Sequence, residues 1–168
     1  GVAGVNGRRD RLSMVVITVV IATLLTLVPL PSLLEALRPY WVALVLIYWC
    51  LETQSLVSLG LAFVIGLLLD LLTGSLLGLH ALSLVILVYL VTRFRARIRF
   101  FPPWQQALSV LALLLNDRII ILWIMSLRGE PLPSIEFWAP PIVGTAIWPW
   151  LFLLLDRYRG VMRQRLAT

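Results

Sequence analysis

Lysine is missing from this 168-residue chain, cysteine and histidine each occur once, and only eight side chains are acidic. Each shortage removes a class of function. A single cysteine, Cys50, set among Tyr48, Trp49 and Leu51, rules out an intrachain disulfide and leaves the redox compartment unspecified. The single histidine, His80, has no cysteine or acid at ligand spacing, which argues against a metal site; without a paired nucleophile it makes no catalytic triad. A Walker loop, a dinucleotide fingerprint and an HExxH motif are absent as well. Charged residues make up 13% of the chain against 61% hydrophobic ones, and mean hydropathy is +0.98. Eight acids and fourteen arginines cannot clothe a 19.0 kDa globule in polar surface, so lipid must cover it. The chain reads as an all-α integral membrane protein.

Charges and prolines mark off the apolar runs. The first extends from Leu12 to Leu30, and the second from about Pro39 to Leu51, short unless its helix begins in the Leu33 to Leu37 stretch. Leu56 to Thr92 is too long for one span of about 20 residues, so a turn at Thr73-Gly74-Ser75 divides it into two. Trp104 to Leu127 makes a fifth run and Trp138 to Leu155 a sixth. Residues 1–7 begin without methionine and read as a processed terminus outside the fold.

Arginine sets the orientation. Eleven of the fourteen flank the spans in three clusters: Arg8, Arg9 and Arg11; Arg93, Arg95, Arg97 and Arg99; Arg157, Arg159, Arg163 and Arg165. An even number of crossings between clusters places all three in the cytoplasm, giving a six-transmembrane-helix bundle with both termini inside. The expected division is a cytoplasmic segment 1–11, a transmembrane domain 12–156 and a basic cytoplasmic tail 157–168. The inner loop Glu52-Thr53-Gln54-Ser55 has no positive charge to support this order. A net charge of +6 distributed in this way speaks for orientation and anionic lipid, and against nucleic-acid binding. No internal repeat or soluble-sized loop interrupts the pattern.

Several residues stand out against this apolar background. Asn116-Asp117-Arg118 falls midway along the fifth run, where an isolated charge costs several kcal/mol. Neighbouring residues on a helix point about 100° apart, so Asp117 and Arg118 each meet a different helix or a polar cavity. They read either as a polar clamp between helices or as part of a relay or ligand site, and a relay usually needs more acids or histidines at depth than this chain has. Gly66, Asp70, Gly74 and Gly78 recur every four residues, either as a turn with close helix packing or as a ligand-facing stripe. In Trp148-Pro149-Trp150, Pro149 denies the Thr145 carbonyl its amide and should kink the sixth helix beside two indoles. Trp104, Trp123 and Trp138 suit interfacial anchors, and Arg128 suits a cap on the fifth span. Arg93, Arg95, Arg97 and Arg99 alternate with Phe94, Ala96, Ile98 and Phe100, a basic strip for anionic headgroups or for a cytoplasmic partner.

From Arg38 to Leu155 the chain resembles the bacterial rod shape-determining MreD family. The resemblance is carried by Arg38-Pro39-x-Trp41, Tyr48-Trp49, Gly66-x3-Asp70-x3-Gly74-Ser75-x2-Gly78, Trp104-Gln105-Gln106-Ala107, Asp117, Trp123 and Trp148-Pro149-Trp150-Leu151-Phe152. It implies an inner-membrane, multi-pass component of the cell-elongation machinery that makes lateral peptidoglycan. The implied partners are MreC, whose single transmembrane helix would dock on the bundle, and, through it, MreB, RodA and a penicillin-binding transpeptidase. The resemblance also implies a fold like that of the substrate-binding subunits of energy-coupling-factor vitamin transporters, an analogy of architecture and not of activity. It supplies no catalytic residue and no cofactor. Arg38, Trp41, Asp70, Gly74, Gly78, Asp117, Arg118, Trp148, Pro149 and Trp150 are the expected structural or partner-binding positions. Glu52 to Ser55 departs from the proline-histidine-arginine sequence of many relatives. The rival function is a small-molecule-binding or transport subunit.

Overall fold

A computed structural model describes residues 2–53 and 56–168, so the Gln54-Ser55 half of the inner loop lies outside the described residues. Helices α1 (Val2–Leu27), α2 (Ser32–Glu35), α3 (Trp41–Glu52), α4 (Leu59–Thr73), α5 (Leu79–Ile98), α6 (Pro103–Leu127) and α7 (Ala139–Ala167) follow in order. A 3-10 turn at Ile135–Trp138 leads into α7. Among the described residues there is no strand. Among the described residues, four helical stretches are long and apolar enough to cross a membrane: Gly4–Leu27, Leu79–Ile98, Pro103–Leu127 and Ile135–Ala167. The other two apolar helices, Trp41–Glu52 and Leu59–Thr73, are shorter. The protein is a multi-pass membrane protein.

Helix α3 has no polar face from Trp41 to Leu51, and a helix that is apolar all round needs protein or lipid on every side. Here protein surrounds it: Val42 through Leu51 are all buried, with α1, α5, α6 and α7 packed around them. At 12 residues it rises only about 18 Å, short of the roughly 30 Å hydrocarbon core. The segment that leads into α3 is itself partly covered by protein, since Arg38, Pro39 and Tyr40 are all half-buried.

Helix α1 shows the other pattern. Met14, Val15, Thr18, Val19 and Ala22 recur at helical spacing and are buried, whereas Val16, Val20, Ile21 and Leu24 are exposed and apolar, a surface suited to hydrocarbon.

The chain runs back and forth, gathering the arginine clusters at one end. Arg11, Thr53 and Arg163 line one cleft, and Arg95 donates to the last carbonyls of α3. At the opposite end Arg38 meets the end of α1, and Tyr40 packs edge-on against His80 at the start of α5.

Residues 2–7 are not separate from the fold: α1 begins at Val2, because no proline stops the helix from propagating through them. The basic strip is helical, since α5 continues through Arg93, Arg95 and Arg97 to Ile98, with Arg99 at its C-cap. The tail likewise extends α7 to Ala167, and that helix continues through Pro149.

Candidate functional site

The α4–α5 hairpin absorbs the glycine-aspartate motif. Asp70 lies in the last turn of α4 with a fully buried side chain. Its Oδ2 accepts the Gly78 amide at 2.8 Å, and its Oδ1 accepts the His80 amide at 2.9 Å. These are amides at the start of α5, which have no partner within their own helix and carry its positive dipole end. The same Oδ1 accepts the Ser75 hydroxyl at 2.9 Å and the His80 ring Nδ1–H at 2.8 Å. Asp70 is therefore a cap supplied to α5 by the preceding helix.

The glycines make room for it. Gly74 (φ 68°) and Gly78 (φ 98°) turn the chain in the left-handed region that residues with a Cβ avoid. A Cβ on Gly66 would stand 2.3 Å from the Ala81 Cα, so only glycine lets α4 lie this close to α5.

His80, set aside for want of a ligand-spaced acid, thus pairs with an acid ten residues earlier. The turn creates that contact, and helical spacing gives no sign of it. Among the described residues no three His, Cys, Asp or Glu side chains come together as a metal site.

Asp117 and Arg118 separate as the helix geometry requires. Asp117, 2% exposed, accepts a hydrogen bond from Ser83 of α5, whereas the Arg118 guanidinium lies 4.8 Å from the centroid of the Phe137 ring. The Tyr40 hydroxyl is buried beside Ser83, which places it within reach of the Ser83–Asp117 contact. Ser83 and Tyr40 were not among the expected site residues; a lone serine or tyrosine in an apolar run carries no spacing signal.

Arginines repeat the capping role of Asp70 with opposite sign. Arg38 donates to the Thr26 and Val28 carbonyls at the end of α1 and to Glu35 at 2.9 Å. Arg95 Nε donates to the Cys50 and Leu51 carbonyls at 3.2 and 2.9 Å, closing the end of α3. Arg95 thereby differs from Arg93, Arg97 and Arg99, which are exposed.

Nearby, Tyr48 donates to Asp156 at 2.7 Å, and Arg159 joins Asp156 to Glu52 at 3.3 and 3.0 Å. The two tryptophans around Pro149 diverge: Trp148 is 1% exposed and donates to Gln106 at 3.1 Å, while Trp150 is 76% exposed. Residues two apart on a helix point about 200° apart, so one indole enters the bundle and the other leaves it. Gln106 in turn donates to the Ile98 carbonyl at 3.4 Å, tying α7 and α6 to the end of α5. Trp41 stands half-buried at the first turn of α3. Trp104 and Trp123 are exposed, Trp138 is half-buried, and Arg128 is the C-cap residue of α6.

The motif residues thus sit in caps, turns and close helix contacts, in the order that the resemblance uses. The model of the rod shape-determining protein MreD family matches residues 8–158. The chain belongs to the MreD family. It is 36% identical over 144 residues to the rod shape-determining protein MreD of Haemophilus influenzae, an alignment covering 83% of this chain and 86% of that one. No solved structure matches the chain significantly. For this MreD-family chain, the geometry explains the local roles of Arg38, Asp70, Gly74, Gly78 and Asp117.

Proposed function

We propose that the chain is a non-enzymatic inner-membrane scaffold of the cell-elongation complex. In this reading it binds MreC and links it to MreB, RodA and a penicillin-binding transpeptidase during lateral peptidoglycan synthesis. The carrying observation, beside family membership, is that Asp70, Arg38 and Arg95 are spent on helix ends, where they hold the bundle's shape. A scaffold needs that rigidity and needs no reactive group.

Six spans with both termini cytoplasmic go with this reading. α3 and α4 add two short crossings to the four long helices, and the three arginine clusters at one end favour that end as cytoplasmic. Likeness to the vitamin-transporter substrate-binding subunits belongs to the same proposal. Mild detergent extraction should retain MreC with the chain, and depletion should round the cells. Loss of MreC together with unchanged shape would overturn the proposal.

One observation favours a second reading, a small-molecule-binding or transport subunit: a buried polar cluster in which the Tyr40 hydroxyl lies beside Ser83 and near Asp117 and Arg118. Thermal stabilisation by a vitamin or a lipid-linked wall precursor would support it, and a flat response across both classes would remove it.

A further inference from the structure

Helices α1 and α7 both pack on α3 and leave a furrow between them. Its inner part is an apolar cavity of about 410 Å³, walled by Ile21 and Leu25 of α1 and Leu151 and Leu154 of α7, with Val45 of α3 as its floor. Toward the basic end the furrow opens into a second cavity of about 430 Å³, lined by Asn6, Asp10, Arg11, Arg159 and Arg163. The two adjoin on both walls. On α1 the first reaches Ile17 and the second Met14, and on α7 the first reaches Tyr158 and the second Arg159.

Arg159 is held by Glu52 and Asp156, but Arg11 and Arg163 form no ion pair among the described residues, and Asp10 is the mouth's one acid. The furrow therefore joins an apolar trough to a mouth with two uncommitted guanidinium groups. Its apolar part runs from Ile17 to Leu25, about 12 Å along α1. A spanning helix would need about 30 Å of apolar wall; one leaflet of acyl chain needs about half of that.

We propose that this furrow is a binding site for an anionic phospholipid of the inner leaflet, its acyl chain along Ile21 and Leu154 and its phosphate between Arg11 and Arg163. Basic pockets between helices on the cytoplasmic side are suited to such headgroups. The site is distinct from the exposed arginines after α5 and does not depend on any protein partner.

The test uses the full chain purified in neutral detergent, with dioleoyl phosphatidylglycerol as the probe and dioleoyl phosphatidylcholine and inorganic phosphate as comparisons. Native mass spectrometry and thermal unfolding read the binding. Phosphatidylglycerol should bind and stabilise, phosphatidylcholine should do so weakly, and phosphate alone should not stabilise. R11Q/R163Q should weaken phosphatidylglycerol binding about 30-fold, at roughly a factor of five per arginine near the surface, whereas R8Q/R9Q, with the same charge change outside the furrow, should keep it. Leu154→Trp, which fills the trough and leaves the mouth intact, should also reduce binding. Equal binding by R11Q/R163Q or by Leu154→Trp, equal effects of free phosphate, or a photo-crosslinker at position 154 that captures a polypeptide and no lipid in cells would each overturn the site.

Discussion

Asp70 and Asp117 are both buried acids on helices of one bundle, yet their surroundings differ in the number and kind of donors. Asp70 gathers two backbone amides, a hydroxyl and an imidazole around its two oxygens, all from the chain that follows it within ten residues. Asp117 receives one hydroxyl, from Ser83 on the neighbouring α5, and its sequence neighbour Arg118 turns toward Phe137. The first carboxylate completes a helix end that nothing else supplies; the second joins two helices that already pack along their length. Two equally buried carboxylates are thus expected to differ in what their removal costs, according to the donors that each satisfies.

The sharpest way to break this contrast is to remove the Asp70 carboxylate. Asp70→Ala leaves the Gly78 and His80 amides and the His80 ring without their acceptor, and should cost about 3–5 kcal/mol, the range for breaking a buried charged network. Thermal unfolding in detergent, or loss of a monodisperse species, would show it. Next comes Gly66→Val, which drives a methyl group into the Ala81 backbone and should cost about 3 kcal/mol, read by the same assay. Arg95→Gln and Arg38→Gln remove cations from the ends of α3 and α1, and each should cost about 1–2 kcal/mol in unfolding free energy. Asp117→Asn is the mildest. The amide oxygen still accepts from Ser83, so the loss should stay below about 1 kcal/mol.

The elements themselves were legible in the sequence because their signals are local. The turn at Gly74, the run from Trp104 to Leu127 and the divergent directions of Asp117 and Arg118 follow from composition and helix geometry. Arg128 was legible as the cap of its own helix, but the caps made by Asp70, Arg38 and Arg95 were not, because each of these charges serves a helix other than its own. Arg95 looks like one tooth of an alternating basic strip, and only its half-buried place against Cys50 and Leu51 sets it apart from Arg93 and Arg97. Arg38 reaches carbonyls ten and twelve residues earlier, and His80 finds Asp70 only because α4 and α5 fold back on each other. Helical periodicity is blind to such contacts.

A parallel measurement on Asp117→Asn tests the scaffold reading most directly: cell shape in a strain depleted of the native protein, with the amount of folded variant in the membrane measured alongside. A scaffold in which Asp117 joins α6 to α5 predicts rod-shaped cells at normal protein levels. Round cells containing normal amounts of folded variant would contradict it and point to a carboxylate that must carry or exchange a proton.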